Sequence, residues 1–350
     1  MKAYYKKYDL NFKIPGGTSR GVITTKETWL LLIYSDGRYG IGECGLFRGL
    51  SVDDVPEYEK VLKRSCSDIN LGFDKLYAKL EGFPSIQFGL EQAFLSLQSK
   101  NPFEIFPSKF TTQQDAIKIN GLIWMGEIAF MKRQIAEKLK EGFNCIKIKI
   151  GALDFEAECN LLEEIRKTYP ASQIELRLDA NGAFLPEEAL GKLEKLATYN
   201  IHSIEQPIKQ GNIQKMKFLC QNSPIPIALD EELIGIRSVT EKQRLLQIIA
   251  PQFIILKPSL LGGFKASEAW IKWAEELNIG WWVTSALESN IGLNAIAQWT
   301  YVLNNGIPQG LGTGKLYTNN FHSPLDIKNG HLIYGEEYNW NFNYIKKLCL

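Results

Sequence analysis

Three acidic residues, each closing a short apolar run, constrain the fold of this chain more than any other feature. They are Asp179 in LRLDANG, Glu205 in IHSIEQP and Asp230 in PIALDEEL. The intervals of 26 and 25 residues between them match one strand, one helix and two loops, which is the period of a (β/α) barrel. Because consecutive barrel strands are neighbours, we expect the three carboxylates to meet at one end of a barrel.

This convergence predicts a metal site. Three charged carboxylates repel one another at close range unless they share a cation. A set of ligands made only of oxygen favours a hard ion such as Mg²⁺, and the sequence leaves Mn²⁺ open. A single carboxylate at a strand end is common and would not indicate a ligand, so the prediction rests on the joint spacing.

Composition and charge exclude several classes of partner. The net charge of the 350 residues is +1, and no basic stretch or aromatic-basic interleaving indicates nucleic-acid binding. No apolar run approaches the roughly 20 residues that cross a bilayer, and the N-terminus MKAYYKKYDLNF does not have the pattern of a signal peptide. Six scattered cysteines are typical of reduced, buried thiols. We therefore expect a cytoplasmic protein with a small-molecule partner, and a homo-oligomer is possible.

The first hundred residues have a pattern of their own. Alternating runs at 28–34 and 37–43 flank the turn Ser35-Asp36-Gly37 and predict an antiparallel hairpin. Helical periodicity follows at about 53–65 and 85–99. We interpret residues 1–112 as an N-terminal α+β capping domain.

From about residue 117, short apolar runs alternate with amphipathic helices. Eight strands is the number that closes a barrel, and helices predicted at 126–141, 154–168 and 265–277 are long enough to cover it. We expect an α/β fold, a (β/α)₇β barrel over 113–320, with residues 321–350 packing on the capping domain. The eight predicted strands are AIKINGLI, NCIKIKIG, QIELRLDA, IHSIEQ, PIPIALDE, QFIILKPS, GWWVTSA and IPQGLG.

The second predicted strand alternates strictly, as Ile146-Lys147-Ile148-Lys149-Ile150. Taken alone, this pattern is more typical of a half-exposed strand with solvated lysines. In a barrel covered by helices, the isoleucines face the helices and both lysines point inward. Lys257, which closes FIILKPS, lies across the barrel. Burial lowers the pKa of an amine, so one such lysine becomes a candidate base that makes an enolate beside the metal.

The same alternation places three more polar side chains in the barrel, which are Arg177, Asn181 and, on the next strand with Glu205, Ser203. Arg177 and Asn181 share a face with Asp179; Arg177 is either a partner of a metal-binding carboxylate or a structural ion pair. The loops from Ser285 and from Gly310 expose backbone N–H groups where barrels commonly bind anions, although each is also compatible with a simple tight turn.

These motifs together resemble the enolase superfamily, within its muconate-lactonizing-enzyme-like subgroup, over essentially the whole chain. The resemblance implies an α+β cap, a (β/α)₇β barrel and an active site between them. Each motif is weak alone, but their order and spacing make the set specific. The motifs are Lys147-x-Lys149, Asp179-Ala-Asn181, Glu205-Gln-Pro207, Asp230-Glu231 and Lys257-Pro258 followed by Gly262-Gly263.

The resemblance also implies the roles of these residues. The three carboxylates bind Mg²⁺, and Lys149 is the base on one face of the substrate. Lys147 lowers the pKa of Lys149 and contacts the substrate carboxylate or the enolate, while Lys257 faces the opposite side. Two cap loops, at 16–21 and 47–50, exclude water and select the substrate. The implied substrate-binding residues are Asn181, Ser285, Gly312, Thr313, Arg20 and Ser19.

Two segments, SALESNIGL from Ser285 and QGLGTGKLY from Gln309, resemble those of a carbon–oxygen lyase in this subgroup. The implied reaction is the Mg²⁺-dependent syn dehydration of 2-succinyl-6-hydroxy-2,4-cyclohexadiene-1-carboxylate to 2-succinylbenzoate in menaquinone biosynthesis. The alternatives are racemization of N-acylamino acids or epimerization of dipeptides, and, more remotely, a non-catalytic binding barrel. Gly310-Leu311-Gly312 carries no carboxylate for a substrate ammonium group, which argues against a dipeptide.

Overall fold

The computed structural model describes residues 1–18, 21–335 and 339–350. The N-terminal unit is an antiparallel sheet in the order β1-β2-β3, backed by three helices. The turn between β2 and β3 has positive φ at Asp36 and Gly37, 51° and 80°, which matches the predicted hairpin. The elements are β1 (Lys2–Thr18), β2 (Gly21–Ser35), β3 (Arg38–Cys44), α1 (Tyr58–Ser67), α2 (Phe73–Lys79) and α3 (Pro84–Gln98).

Close packing of α3 on β3 requires glycine at the contact. A Cβ atom on Gly42 would overlap the carbonyl oxygen of Gly89 in α3. Apolar side chains of β2 and the three helices, including Leu31 and Leu90, then fill one core beneath the sheet. The first strand was not predicted, because many of its side chains are exposed and the segment lacks a sustained apolar alternation. Residues 16–21 were predicted to form a cap loop, but Gly16 and Gly17 at its start lie in β1 and pair with β2.

Seven parallel strands form the barrel sheet, in sequence order from β5 to β11. Gln309 and Gly310 close it, because Ile119 bridges Gln309 and Thr284 bridges Gly310, both in parallel orientation. The eighth predicted strand is thus reduced to two bridging residues. The strands are β5 (Gly121–Ile123), β6 (Cys145–Lys149), β7 (Glu175–Asp179), β8 (Ser203–Glu205), β9 (Ile227–Leu229), β10 (Phe253–Leu256) and β11 (Gly280–Val283).

Helices cover the outside of this sheet. Ile146 and Ile148 of β6 belong to the large core between sheet and helices, as their alternation predicts. No helix in the described ranges is both long and apolar enough to cross a membrane. The helices are α4 (Ile128–Lys140), α5 (Phe155–Thr168), α6 (Ala189–Ala197), α7 (Ile213–Asn222), α8 (Val239–Ile249), α9 (Pro258–Leu261), α10 (Gly263–Glu276) and α11 (Asn290–Leu303).

The first predicted strand, AIKINGLI, is split in two. Its first half, β4 (Ile117–Lys118), pairs antiparallel with β13 (His331–Tyr334), which pairs with β12 (Leu325–Lys328). The helix α12 (Phe342–Cys349) packs instead on the cap, where Ile345 joins a core with Leu30 and Leu32. The C-terminal segment therefore contacts both units, and the domain bounds 1–112, 113–320 and 321–350 stay a prediction.

Two carboxylates of the cap accept hydrogen bonds from the N-termini of barrel helices. Glu43, in β3, accepts from the backbone N–H groups of Ser289 and Gly292 at α11, each at 2.8 Å. Glu91, in α3, accepts from the N–H of Phe264 at α10, at 2.6 Å. An anion at a helix N-terminus is favoured by the unpaired N–H groups and the helix dipole. These two contacts fix the cap on the barrel end where the strands finish.

One lysine is buried in the barrel wall without a carboxylate partner in any contact that the structure describes. Lys242 in α8 is 2% exposed; its Nζ donates to the carbonyl oxygen of Ala266 at 3.0 Å and lies 4.9 Å from the ring centre of Trp270. Burial lowers the pKa of Lys242 from 10.5 to about 8. Folding at neutral pH therefore carries the cost of burying its charge.

We expect the Lys242→Met variant to be more stable than the unsubstituted chain at pH 7, by about 1–3 kcal/mol. Between about pH 8 and pH 10.5, the unfolded chain binds a proton that the folded one does not, so the free energy of unfolding rises with pH. Urea denaturation across this range tests both points. The matched control is Lys272→Met, since Lys272 also lies over a tryptophan ring but is exposed. The prediction would be contradicted if the Lys242→Met variant were less stable than the unsubstituted chain and its free energy of unfolding still rose with pH in this range.

Candidate active site

The three spaced carboxylates lie at the carboxyl ends of neighbouring strands. Asp179 is the last residue of β7, Glu205 is the last of β8, and Asp230 follows β9 directly. The register aligns Asp179 with Glu205 across β7 and β8. All three are buried, with 0%, 2% and 2% exposure respectively. The spacing in the sequence therefore corresponds to one cluster in space.

Three lysine ammonium groups lie between these carboxylates. Lys147 forms an ion pair with Asp179, at 2.9 Å from Nζ to Oδ2, and donates a hydrogen bond to Glu205. Lys149 donates to Asp179 Oδ2 at 2.8 Å and to Asn181 Oδ1 at 2.7 Å. On the other side, Lys257 donates to Asp230, and its Nζ lies 3.6 Å from Glu205 Oε1. The buried cluster of three acids and three bases is thus balanced in formal charge.

The pKa values of the lysines diverge. Burial lowers the pKa of Lys149, and the charge of Lys147 adds to this effect while Asp179 opposes it. For Lys147, burial acts in the same direction, but Asp179 and Glu205 outweigh it and raise the pKa. Burial is likewise outweighed at Lys257, chiefly by Asp230, and its pKa is raised. Of the three lysines, Lys149 alone has a lowered pKa, and the sequence analysis expected one such lysine as the candidate base.

The carboxylates also have different pKa values. Burial alone would raise the pKa of Asp179, but Lys147 and Lys149 outweigh it and hold the pKa well below its usual range. At Asp230, burial dominates over the opposing charge of Lys257, and the pKa is raised. Asp179 is consequently more firmly ionised than Asp230.

The chemistry of this cluster fits a divalent cation. As the side chains stand, no three His, Cys, Asp or Glu side chains within 1–18, 21–335 and 339–350 are arranged to hold an ion, because ammonium groups lie between the carboxylates. Glu205 Oε1 is nonetheless a buried oxygen for which the structure describes no hydrogen-bond partner, and a buried unpaired acceptor is costly. Buried carboxylate oxygens on adjacent strands are the ligands that Mg²⁺ prefers.

A cavity of about 70 Å³ lies against the lysines. One wall comes from the cap, through Ile23, Phe47 and Leu50, and its apolar surface continues onto the barrel. The barrel contributes both apolar and polar side chains, and the polar ones include the three lysines and Asp179. The barrel residues that line the cavity are Asn120, Leu122, Trp124, Lys147, Lys149, Asp179, Asn181, Lys257, Thr284, Ser285, Ala286, Leu287, Gly310, Gly312 and Thr313.

Similarity in sequence and fold to known proteins places the chain in a family. The sequence profile of the family described as Enolase C-terminal domain-like matches residues 131–337. The chain belongs to the enolase C-terminal domain-like family. A relative from Desulfotalea psychrophila named o-succinylbenzoate synthase is 46% identical, over 95% of this chain and 98% of that protein.

Solved structures of relatives have the same fold. The crystal structure of MenC from Desulfotalea psychrophila superposes with a TM-score of 0.85 at 43% identity, covering 95% of this chain and 99% of that one. A dipeptide epimerase from Enterococcus faecalis, complexed with Mg and the dipeptide L-Leu-L-Tyr, superposes with a TM-score of 0.84 over 97% and 98% of the chains. Its identity is 19%, so it supports the fold alone.

The structure brings together most of the site residues expected from the resemblance to the enolase family. Asn181, Ser285, Gly312 and Thr313 line the same cavity as the three lysines. Glu205 and Asp230 do not line it, and each is in contact with a lysine that does. Ser19 and Arg20 lie outside the described residues. The roles of these residues stay a prediction.

Arg177 is held in the barrel interior by three contacts. Its guanidinium donates to Glu175 Oε1 at 2.7 Å and to the carbonyl oxygen of Pro308 at 2.9 Å, and it lies 4.4 Å from the ring centre of Trp282. None of these partners is one of the three clustered carboxylates. Of the two interpretations, the structural ion pair is therefore the one that these contacts favour.

Sequence reasoning missed two polar groups of the cavity. Asn120 precedes β5, and Thr284 follows β11; both side chains are buried, and the structure describes no hydrogen-bond partner for Asn120 Oδ1 or Thr284 Oγ1. Unpaired buried polar atoms that line a cavity are expected to bind its ligand. The available signal for Thr284 was a polar residue just beyond an apolar strand, at the barrel end that carries the carboxylates; Asn120 lies before β5 and had no such signal.

A third missed residue, Gln206, positions Asp230. Its side-chain Oε1 accepts from the N–H of Asp230 and from the N–H of Glu232, each at 3.2 Å, and its amide donates to the carbonyl oxygen of Ile208 at 3.0 Å. The buried amide thereby ties the segment after β9 to the end of β8. The motif Glu205-Gln206-Pro207 contained this residue, but its role depends on contacts that only the fold defines.

Proposed function

We propose that this chain catalyses the Mg²⁺-dependent syn dehydration of 2-succinyl-6-hydroxy-2,4-cyclohexadiene-1-carboxylate to 2-succinylbenzoate, the reaction of an o-succinylbenzoate synthase of menaquinone biosynthesis. The observation that carries the proposal is a cavity lined both by three lysines and by apolar side chains of the cap and the barrel. A carbocyclic ring that bears carboxylates suits this combination. The near-full-length similarity to a protein named o-succinylbenzoate synthase supports the same reaction.

Asp179, Glu205 and Asp230 would hold the cation. Their oxygens are hard donors, and Mg²⁺ is the ion they fit best, with Mn²⁺ as a second ion of similar preference. When bound, the ion supplies a positive charge that stabilises the enediolate formed from the substrate carboxylate.

Lys149 is the proposed base. Burial favours its neutral amine, which accepts the proton from the ring carbon that bears the carboxylate. The electron pair of that C–H bond moves into the carboxylate as an enediolate. In the second step, this pair forms the ring double bond, the neighbouring C–O bond breaks, and the Lys149 ammonium gives its proton to the departing hydroxide. Water and the aromatic product result, and the amine is regenerated on the same face.

Lys147 and Lys257 are proposed to act as fixed positive charges. Their raised pKa values keep both ammonium groups protonated at neutral pH. Lys147 lies beside Lys149 on the same strand and shares Asp179 with it. Lys257 is placed to stabilise the charge of the enediolate or the ring without transferring a proton. A dehydration with one base needs no more than this.

Racemization of N-acylamino acids is the second candidate, and it requires Lys257 to act as a second base. The raised pKa of Lys257 is unfavourable for that role. Epimerization of dipeptides additionally needs a carboxylate for the substrate ammonium group. Among the described residues that line the cavity, Asp179 is the only acid, and two lysines already contact it. Both observations favour dehydration.

The proposal includes a cytoplasmic location. The six cysteines are buried free thiols, which suits a reducing compartment.

The deciding experiment follows the loss of cyclohexadiene absorbance when the purified protein is mixed with the substrate, with and without EDTA. We expect kcat/KM above about 10⁴ M⁻¹s⁻¹, loss of activity with EDTA, and recovery with Mg²⁺. Measuring the recovery of activity with Mn²⁺ in the same way compares the two ions. Absent turnover in protein that binds Mg²⁺ would reject the dehydration, and measured exchange of the α-proton of N-succinylamino acids would then favour the racemase.

A further inference from the structure

Glu288 lies behind the residues that line the cavity, and it accepts hydrogen bonds from two serines. It follows β11 in the loop before α11 and is fully buried. Its Oε2 accepts from the hydroxyl of Ser285 at 2.6 Å, and its Oε1 accepts from the hydroxyl of Ser259. Ser285 lines the cavity, whereas Glu288 and Ser259 do not. Glu288 therefore contacts the lining of the cavity through Ser285, without lining the cavity itself.

The hydrogen bonds of Ser285 leave it no proton for a ligand. A hydroxyl group has one hydrogen and two acceptor positions. The N–H of Leu287 donates to Ser285 Oγ at 3.0 Å, and the hydroxyl of Thr313 donates to it at 2.9 Å. Both acceptor positions are thus filled, and the single hydrogen of Ser285 points to Glu288. Burial raises the pKa of Glu288, but both of its oxygens accept from serine hydroxyls, and these hydrogen bonds favour the ionised form, which offers only acceptors.

Thr313 stands at the open end of the same chain of hydrogen bonds. Its hydroxyl lines the cavity, and its bond to Ser285 is the one bond that the structure describes for this hydroxyl. Turning this hydrogen toward a ligand leaves Ser285 with the N–H of Leu287 and with Glu288. A carboxylate of the substrate can therefore receive a proton donor from Thr313 but not from Ser285.

We propose that Glu288 is a positioning residue that holds the hydrogen of Ser285 away from the cavity and leaves Thr313 as the hydroxyl that donates to the substrate. Ser285, expected from sequence to bind the substrate, then donates no hydrogen bond to it. This inference rests on the proposed function, because it needs an anionic substrate in the cavity.

The first test compares Ser285→Ala with Thr313→Val in the absorbance assay. Thr313→Val removes a hydrogen bond to a charged group, so we expect KM to rise about tenfold or more with a much smaller change in kcat. Thr313→Ser keeps the hydroxyl and should retain the KM of the unsubstituted chain. Ser285→Ala should raise KM less than threefold. Equal effects of Ser285→Ala and Thr313→Val, or no effect of Thr313→Val, would overturn the inference.

The second test changes the acceptor at residue 288. Glu288→Gln retains an oxygen that accepts from Ser285, whereas Glu288→Met has a similar length and no such acceptor. In the Glu288→Gln background, Thr313→Val should still raise KM about tenfold. In the Glu288→Met background, the hydrogen of Ser285 is released toward the cavity, so the same substitution should raise KM less than threefold. An equal effect in both backgrounds would show that Glu288 does not direct the proton.

The outcomes separate the two proposals. If the unsubstituted chain does not turn over the cyclohexadiene, both the proposed function and this inference fail. If it does turn over the substrate and the variants do not differ as stated, this inference alone fails. Should Glu288→Met not fold, as far-UV circular dichroism would reveal, the comparison of Ser285→Ala with Thr313→Val still decides.

Discussion

Lys149→Ala is expected to lower kcat by about 10⁴-fold or more in the absorbance assay. The substitution removes the group that takes the proton from the ring carbon and returns it to the departing hydroxide, and each such role contributes about 10²–10⁴-fold. Lys147 does not replace it, because Asp179 and Glu205 hold its pKa above the ordinary value. The variant should remain folded, since Asp179 keeps an ion pair with Lys147.

Lys209→Ala is the matched control, because Lys209 is an exposed lysine in the loop after β8. It should have the kcat and the thermal midpoint of the unsubstituted chain. A folded Lys149→Ala variant that keeps more than a tenth of the turnover would remove Lys149 as the base. Loss of turnover in both variants would instead indicate a general effect of the substitutions at this end of the barrel.

Asp230→Asn is the second substitution with a large expected effect. It replaces one of three proposed oxygen ligands with a neutral amide, so the Mg²⁺ concentration for half-maximal activity should rise at least about 10²-fold. It also removes the charge that Lys257 contacts. A buried ammonium group that loses its partner is costly, so the metal-free variant should unfold at lower urea concentration.

Titration of activity with Mg²⁺ and isothermal calorimetry with Mg²⁺ alone measure this change. Asp74→Asn is the control, since the Asp74 side chain is 87% exposed on the cap. If Asp230→Asn leaves both the Mg²⁺ dependence and the measured affinity unchanged, Asp230 is not a ligand, even if the variant is less stable.

Sequence reasoning could predict the site residues whose positions are set by a repeat in the sequence. It could not predict those whose roles depend on contacts in the folded chain. The interval between Asp179, Glu205 and Asp230 predicted their convergence, because strand ends in a barrel are neighbours by construction. The alternation in β6 predicted the inward lysines for the same reason. Both predictions depend on local periods that any barrel of this length imposes.

The missed features depend on partners far away in the chain. β1 is defined by its pairing with β2 rather than by its own pattern, and β4 by its pairing with β13, more than 200 residues later. The hydrogen of Ser285 has a direction only because Glu288, Leu287 and Thr313 surround it. The divergence of the lysine pKa values likewise depends on which carboxylate each ammonium group contacts.

The attachment of the cap through Glu43 and Glu91 has a consequence for protein engineering. Cap residues line the cavity, so exchanging whole caps between relatives is an obvious route to a new substrate preference. Here, each carboxylate completes the first turn of a barrel helix: α11 begins at Asn290, in the segment that follows Ser285, and α10 begins at Gly263, shortly after Lys257. A transplanted cap that lacks either acid would leave those N–H groups unpaired and disturb the lining of the cavity. The two units are therefore not interchangeable parts, and a chimera needs both acids to be inherited together with the helices they contact.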